Sequence, residues 1–226
     1  MTDAISKSWL PINSKAAYRF YLEADRLAIR IGKRTAMQRL TDALGLTNPI
    51  WRYLRLLRKA EYINNCKTSF LYRLYKDYLF FRLERLGIRL GFTIPVNVFG
   101  PGLRIIHHGT IIVNANARVC ANCGLHNLVH IAANTQRKMH EGAPTIGDNV
   151  FIGPGSRIFG EITVADGVVI GANSVVTKSV LEPHITVAGV QARVISDEGS
   201  ETAWRPQDRD ALIRYVAAHE DQFAEK

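Results

Sequence analysis

From Ile146 to Val180 an aliphatic residue returns at every sixth position: Ile146, Ile152, Ile158, Val164, Ile170 and Val176. An α-helix needs apolar residues at alternating spacings of three and four, and a half-buried strand needs every second one, so a beat of six fits neither as an ordinary amphipathic element. It fits a solenoid, in which each six-residue unit is a short extended segment plus a turn and three units close one triangular coil. Glycine follows the aliphatic residue at Gly147, Gly153 and Gly171, where a corner would crowd a side chain. The same spacing links Val113, Val119, Leu125 and Ile131, and Phe99-Gly100 resembles a further corner. Between Ala133 and Ala143 the run NTQRKMHEGA has no aliphatic beat and reads as a loop thrown out of the coil, the first place to seek a site.

This register, with FGPGLRIIHHGTIIVN (99–114), IGDNVFIGPGSRIFG (146–160) and HITVAGVQARV (184–194), resembles the hexapeptide-repeat acyltransferases, nearest to the serine acetyltransferases and their polysaccharide-cluster relatives. The expected class is α+β: an α-helical N-terminal domain (1–91), a left-handed parallel β-helix of hexapeptide repeats (92–196), and a C-terminal tail (197–226) with a short helix. Such a run is specific for the fold and much less so for the substrate.

Ahead of the coil, Ser14 caps the amphipathic run AAYRFYLEADRLAIRI that stops at Gly32, and a second helix is expected over Thr35 to Leu44. Asn48-Pro49 opens a third, to about Ile63, and a fourth runs from near Ser69 to about Leu86. Trp51, Tyr53, Tyr72, Tyr75, Phe80 and Phe81 read as core and subunit-packing residues. After the coil, Leu212, Tyr215 and Val216 share one face of a terminal helix.

Charge is uneven: residues 1–91 carry 18 Lys and Arg against 7 Asp and Glu, a balance of +11, and the other 135 carry 11 against 13, a balance of −2. A basic helical half suits an anionic surface, so peripheral contact with an anionic membrane is an expectation, with no nucleic acid partner. The opening residues have no apolar core of secretory length and no stretch is long and uncharged enough to cross a membrane, which leads to a cytoplasmic expectation. Cys66, Cys120 and Cys123 make neither a disulfide framework nor a strong zinc motif, and Cys120 reads as a small side chain in the coil.

Five of the seven histidines, His107, His108, His126, His130 and His140, lie within 34 residues. A coil repeats every 18 residues, which sets His126 above His108. The resemblance implies transfer of an acetyl group from acetyl-CoA to a hydroxyl, with one imidazole as general base. Alignment on the glycine corner puts that role on His107; His108 takes it if the chain slips by one residue. His140 and Glu141 in the loop, with His126, are expected to bind the acceptor. The pantetheine arm falls to Gly153, Pro154 and Ala172, the coenzyme phosphates to Lys178 and Arg193, and no metal is expected.

The family's base-orienting aspartate falls at Phe92 or Thr93, a second aspartate at Ile106, and an Arg-His pair at Gly142-Ala143. With those ionic groups absent, the favoured acceptor is a sugar hydroxyl of a surface polysaccharide or its precursor, with L-serine as the alternative. The family also implies a homotrimer with its site between coils of two subunits. A distant alternative is a γ-class carbonic anhydrase-like zinc protein, using His126 and His130 with His107 or His108.

Overall fold

The computed structural model describes residues 11–32, 48–134, 142–203 and 214. The helix expected over Thr35 to Leu44, the loop residues His140 and Glu141, and the terminal helix near Leu212 lie outside the described residues.

Helix α1 spans Lys15–Ala28, and the Ser14 Oγ accepts from Ala17 N at 3.1 Å, the cap its sequence specifies. It stops before Gly32 because Arg30 already takes the left-handed backbone (φ 59°), with the Arg26 guanidinium donating to the Ile31 carbonyl. Helix α2 spans Pro49–Cys66, with Asn48 Oδ1 accepting from Ile50 N at 2.9 Å and Trp51 N at 3.3 Å. Helix α3 spans Phe70–Leu90, a turn beyond expectation, and ends at Gly91, whose φ of 79° a side chain would resist. Trp51 and Tyr53 are buried, as a core reading requires, but Tyr72 and Phe81 are exposed on this chain.

Fourteen short strands follow: β1 (Phe92–Thr93), β2 (Arg104–Ile105), β3 (Ile111–Val113), β4 (Arg118–Val119), β5 (Gly124–Leu125), β6 (Val129–Ala132) and β7 (Thr145–Ile146) come first. Then come β8 (Phe151–Ile152), β9 (Arg157–Phe159), β10 (Thr163–Val164), β11 (Val169–Ile170), β12 (Val175–Val176), β13 (Thr186–Ala188) and β14 (Arg193–Ser196). Three walls form: β1-β3-β6-β9-β12, β4-β7-β10, and β2-β5-β8-β11-β13 with β14 closing it antiparallel. Every other pairing is parallel, and from β1 to β13 consecutive strands sit in different walls, the winding of a left-handed parallel β-helix.

The aliphatic beat points inward. Ile146, Ile152, Ile158, Val164 and Ile170 are all at 0% exposure, so the prism axis is a dry column where each residue stacks on its counterparts. A Cβ added at Gly153 would lie 2.8 Å from Ala172 N, and one at Gly147 would meet the Asp166 carboxylate and backbone, so these corners are glycine for lack of room. Cys120 and Cys123 are buried free thiols inside the coil. A four-residue helix α4, Ser200–Ala203, returns to the coil, where Glu201 Oε1 lies 2.6 Å from His184 Nδ1.

The helices are fixed to the coil through a buried cation. Arg58 of α2 reaches Asp25 of α1 (Nε to Oδ2, 2.8 Å) and Glu61 of its own helix (3.0 Å), and donates to the carbonyls of Phe99 (2.8 Å) and Gly100 (2.7 Å). Asp25 Oδ1 accepts from the backbone N–H groups of Gly102 and Leu103, each at 2.9 Å. The Phe99–Leu103 corner, which leads into β2, is thereby held by two helices.

Candidate active site

Each wall-to-wall turn stacks on its neighbours to make a vertical edge. One edge is built from the turns after β2, β5, β8 and β11; it carries His107, His126, Gly153-Pro154 and Ala172. Arg193 joins it at the far end, since β14 pairs Arg193 with Ala188, the last residue of β13. A side chain at Gly171 would meet the Ala188 Cβ at 2.9 Å, which puts that strand directly on the Ala172 turn.

Turn lengths decide which imidazoles meet. Between Ile105 and Ile111 lie five residues; between Leu125 and Val129, in the next coil, lie three. The walls on either side therefore pair at different offsets, Ile105 with Leu125 and Ile111 with Val129. The expected stacking of His126 on His108 fails for this reason: the longer turn overhangs the shorter, and it is His107 whose ring meets His126, centroids 5.5 Å apart at 51°. His126 in turn packs edge-on against Phe151, 5.4 Å away at 77°.

His107 and His108 are both exposed, while His126 is half-buried. Burial pushes the His126 pKa below the ordinary imidazole range, and the neighbouring His107 and Arg104 charges push the same way. His107 makes no hydrogen bond among the described residues; its ring contact is His126. Of the two aligned positions in the preceding coil, Phe92 is buried and packs against the Tyr53 ring at 5.1 Å, and Thr93 is exposed, so neither is a carboxylate. What does face the His107 turn is a helix end: Leu90 O and Gly91 O accept from Gly109 N and Ile111 N, each at 2.8 Å. The C-terminal end of a helix carries partial negative charge and favours a nearby cation.

The coenzyme corner is compact. Gly153 N donates to Ile170 O at 2.8 Å and Pro154 O accepts from Asn173 N at 2.8 Å, so the turns are locked to each other. Pro154 has no N–H to offer, and Gly155 N is already committed to Asn127 O at 3.1 Å. The Ala172 N–H has no partner among the described residues and sits in an exposed turn, free for a ligand carbonyl. Lys178 departs from the expected group: it follows β12 on a different edge, the one from which the 135–141 loop leaves.

His130 is likewise not with the others. It lies within β6, paired with Ile112 on one side and Arg157 on the other. Among the described residues no three His, Cys, Asp or Glu side chains gather as a metal site. Sequence reasoning missed Arg104 and Phe151 as neighbours of His126; the unequal spacings Ile105 to Ile111 and Leu125 to Val129 were the available signal.

Residues 143–178 match the family Bacterial transferase hexapeptide (six repeats). Over 169 residues the chain is 28% identical to the serine acetyltransferase of Staphylococcus epidermidis, covering 74% of this chain and 72% of that one. The chain carries bacterial transferase hexapeptide repeats and is similar to serine acetyltransferases. The fold agrees: the crystal structure of serine acetyltransferase from Brucella abortus superposes with a TM-score of 0.62 at 24% identity, over 82% of this chain and 72% of that one. A serine acetyltransferase in complex with CoA gives a TM-score of 0.60 at 21% identity, over 80% and 71%. Among the described residues, no helix is long and apolar enough to cross a membrane.

Proposed function

We propose that the chain transfers the acetyl group of acetyl-CoA to an alcohol, with His107 as general base and L-serine as the acceptor. The observation that carries the reading is one prism edge shared by an imidazole and by the glycine and alanine turns that would receive a pantetheine arm. His107 takes the hydroxyl proton as the oxygen attacks the thioester carbon. A tetrahedral oxyanion forms and backbone N–H groups receive its charge. The intermediate collapses, the C–S bond breaks, and the proton held by His107 goes to the departing thiolate, giving CoA and an acetyl ester.

Serine is favoured because the relatives named above are serine acetyltransferases, and one is a complex with CoA. The sugar hydroxyl preferred on sequence grounds stays as the second reading, favoured by one observation: Phe92, Ile106 and Ala143 are uncharged where the family's ionic groups would stand. The connection from β6 to β7, in which His140 and Glu141 fall by sequence, belongs to a different edge than His107, an arrangement that suits a homotrimer in which that loop edge of one subunit faces the imidazole edge of the next. Lys178, on the loop edge, would then reach the coenzyme from across that interface.

Thiol release from acetyl-CoA, measured with L-serine and with a panel of glycans and nucleotide sugars, tests the proposal. Serine-dependent release that falls about 100-fold or more in His107→Ala and persists in His108→Ala is the expected result. Release with a glycan and none with serine selects the second reading. Loss in His108→Ala with His107→Ala spared shifts the base by one residue.

A further inference from the structure

The reaction proposed above needs something to orient His107 by accepting a hydrogen bond from the ring nitrogen that does not face the acceptor, and neither position aligned with the family's aspartate, buried Phe92 or exposed Thr93, is a carboxylate. The ring that does lie beside His107 belongs to the next coil. His126 is fixed at both ends: its backbone N–H donates to Ile152 O at 3.1 Å, and its ring stands edge-on to Phe151 at 5.4 Å. The short turn that follows it, with Leu128 in the left-handed region (φ 60°), keeps it at the prism edge below the longer His107 turn. His107, His126 and Phe151 thus form a continuous column of rings over three coils.

We propose that His126 is the positioning residue for His107, holding its ring across the gap between two coils and presenting an unprotonated nitrogen to the imidazolium formed when His107 takes the acceptor's proton. The inference rests on His107 being the base. Among the described residues, the charged or titratable groups that bear on His126 are His107 and Arg104, and Phe151 on its other side is uncharged. Burial, a second imidazole and a guanidinium all oppose a proton on His126, so the ring stays a hydrogen-bond acceptor while its neighbour is charged.

Three variants separate this from a packing role. His126→Phe keeps the ring on Phe151 and removes the nitrogen; His126→Gln keeps an acceptor and loses the ring. Thermal melts confirm that each is folded before kinetics are read. In His126→Phe, kcat falls about tenfold or more, KM for acetyl-CoA is unchanged, and the acid limb of kcat/KM moves to lower pH because the imidazolium has lost its acceptor. His126→Gln recovers part of kcat. The third variant, His107→Gln, is read by NMR titration of the His126 imidazole, whose midpoint rises once the neighbouring charge is gone. Wild-type kcat and an unmoved acid limb in folded His126→Phe overturn the proposal, as does a His126 midpoint indifferent to His107→Gln. The NMR arm needs no turnover, so its failure strikes the pairing of the rings, while a silent acceptor screen strikes the reaction.

Discussion

Replacing Arg58 by methionine keeps most of the side-chain volume and removes the cation that is buried, among the described residues, at the junction of α1, α2 and the first coil. In the native chain the guanidinium is at 0% exposure, meets Asp25 at 2.8 Å and Glu61 at 3.0 Å, and lies 4.8 Å from the Tyr21 ring centroid. Its loss leaves two buried carboxyl groups without a counter-charge, and the carbonyls of Phe99 and Gly100 without donors. Removing one partner of a buried ion pair costs about 3–5 kcal/mol, and for a chain of this length that lowers Tm by roughly 10 °C. The sign of the pH dependence follows from the carboxyls. Burial already pushes Asp25 and Glu61 above the ordinary carboxylate range, and Arg58 is the largest influence pulling each back. Without it both rise further. A carboxyl with a raised folded-state pKa stabilises the fold at acidic pH, and that contribution is lost as pH climbs through the folded value. The deficit of Arg58→Met should therefore be larger at pH 8 than at pH 5, by circular dichroism melts at both. Adding Asp25→Asn and Glu61→Gln should recover a large part of it at pH 8. A loss below about 1 kcal/mol, the range of an exposed pair, or a deficit equal at the two pH values, would refute the reasoning.

Two further outcomes can be checked on the same preparation. Gly153→Ala puts a Cβ 2.8 Å from both Ala172 N and Ile170 O, backbone atoms that cannot swing aside, so it should cost about 1–3 kcal/mol in a urea titration and raise KM for acetyl-CoA. Burial, with Cys120 adding to it, pushes the Cys123 thiol up to about 12, and Cys120 is also buried. A thiol reagent at pH 8 should label Cys66 alone in the folded protein and all three cysteines in urea, counted by mass spectrometry.

Much of the fold was legible because its information is local. Ser14 and Asn48-Pro49 state where helices begin, since a cap needs only a side-chain oxygen within three residues of the N–H groups it serves. Where α1 and α3 end was harder to read: Arg30 takes a backbone conformation usually left to glycine, and α3 runs on to the glycine that can adopt it. The exposed stripe of α3, with Leu74, Tyr78, Phe81 and Ile88 each more than half exposed, also departs from a simple core reading of its aromatics.

The site was legible in parts. His107 and the Gly153 and Ala172 turns were assigned through the family resemblance, and they share an edge. Lys178 was grouped with them, but a count along the sequence does not say which edge a residue occupies once turns differ in length. His126 was paired with the wrong neighbour for the same reason, by a rule of 18 that two extra residues in one turn break.

The sequence by itself determined that the C-terminal half winds into a prism, because a six-residue beat repeats one local conformation and leaves its aliphatic side chains a single direction to point. Only the tertiary structure decided that His107 meets His126, that Phe151 backs His126, and that Arg58 bolts two helices to the first coil. Those contacts depend on the summed lengths of intervening turns and on helix orientation, and such distances are set when separate parts of the chain pack together.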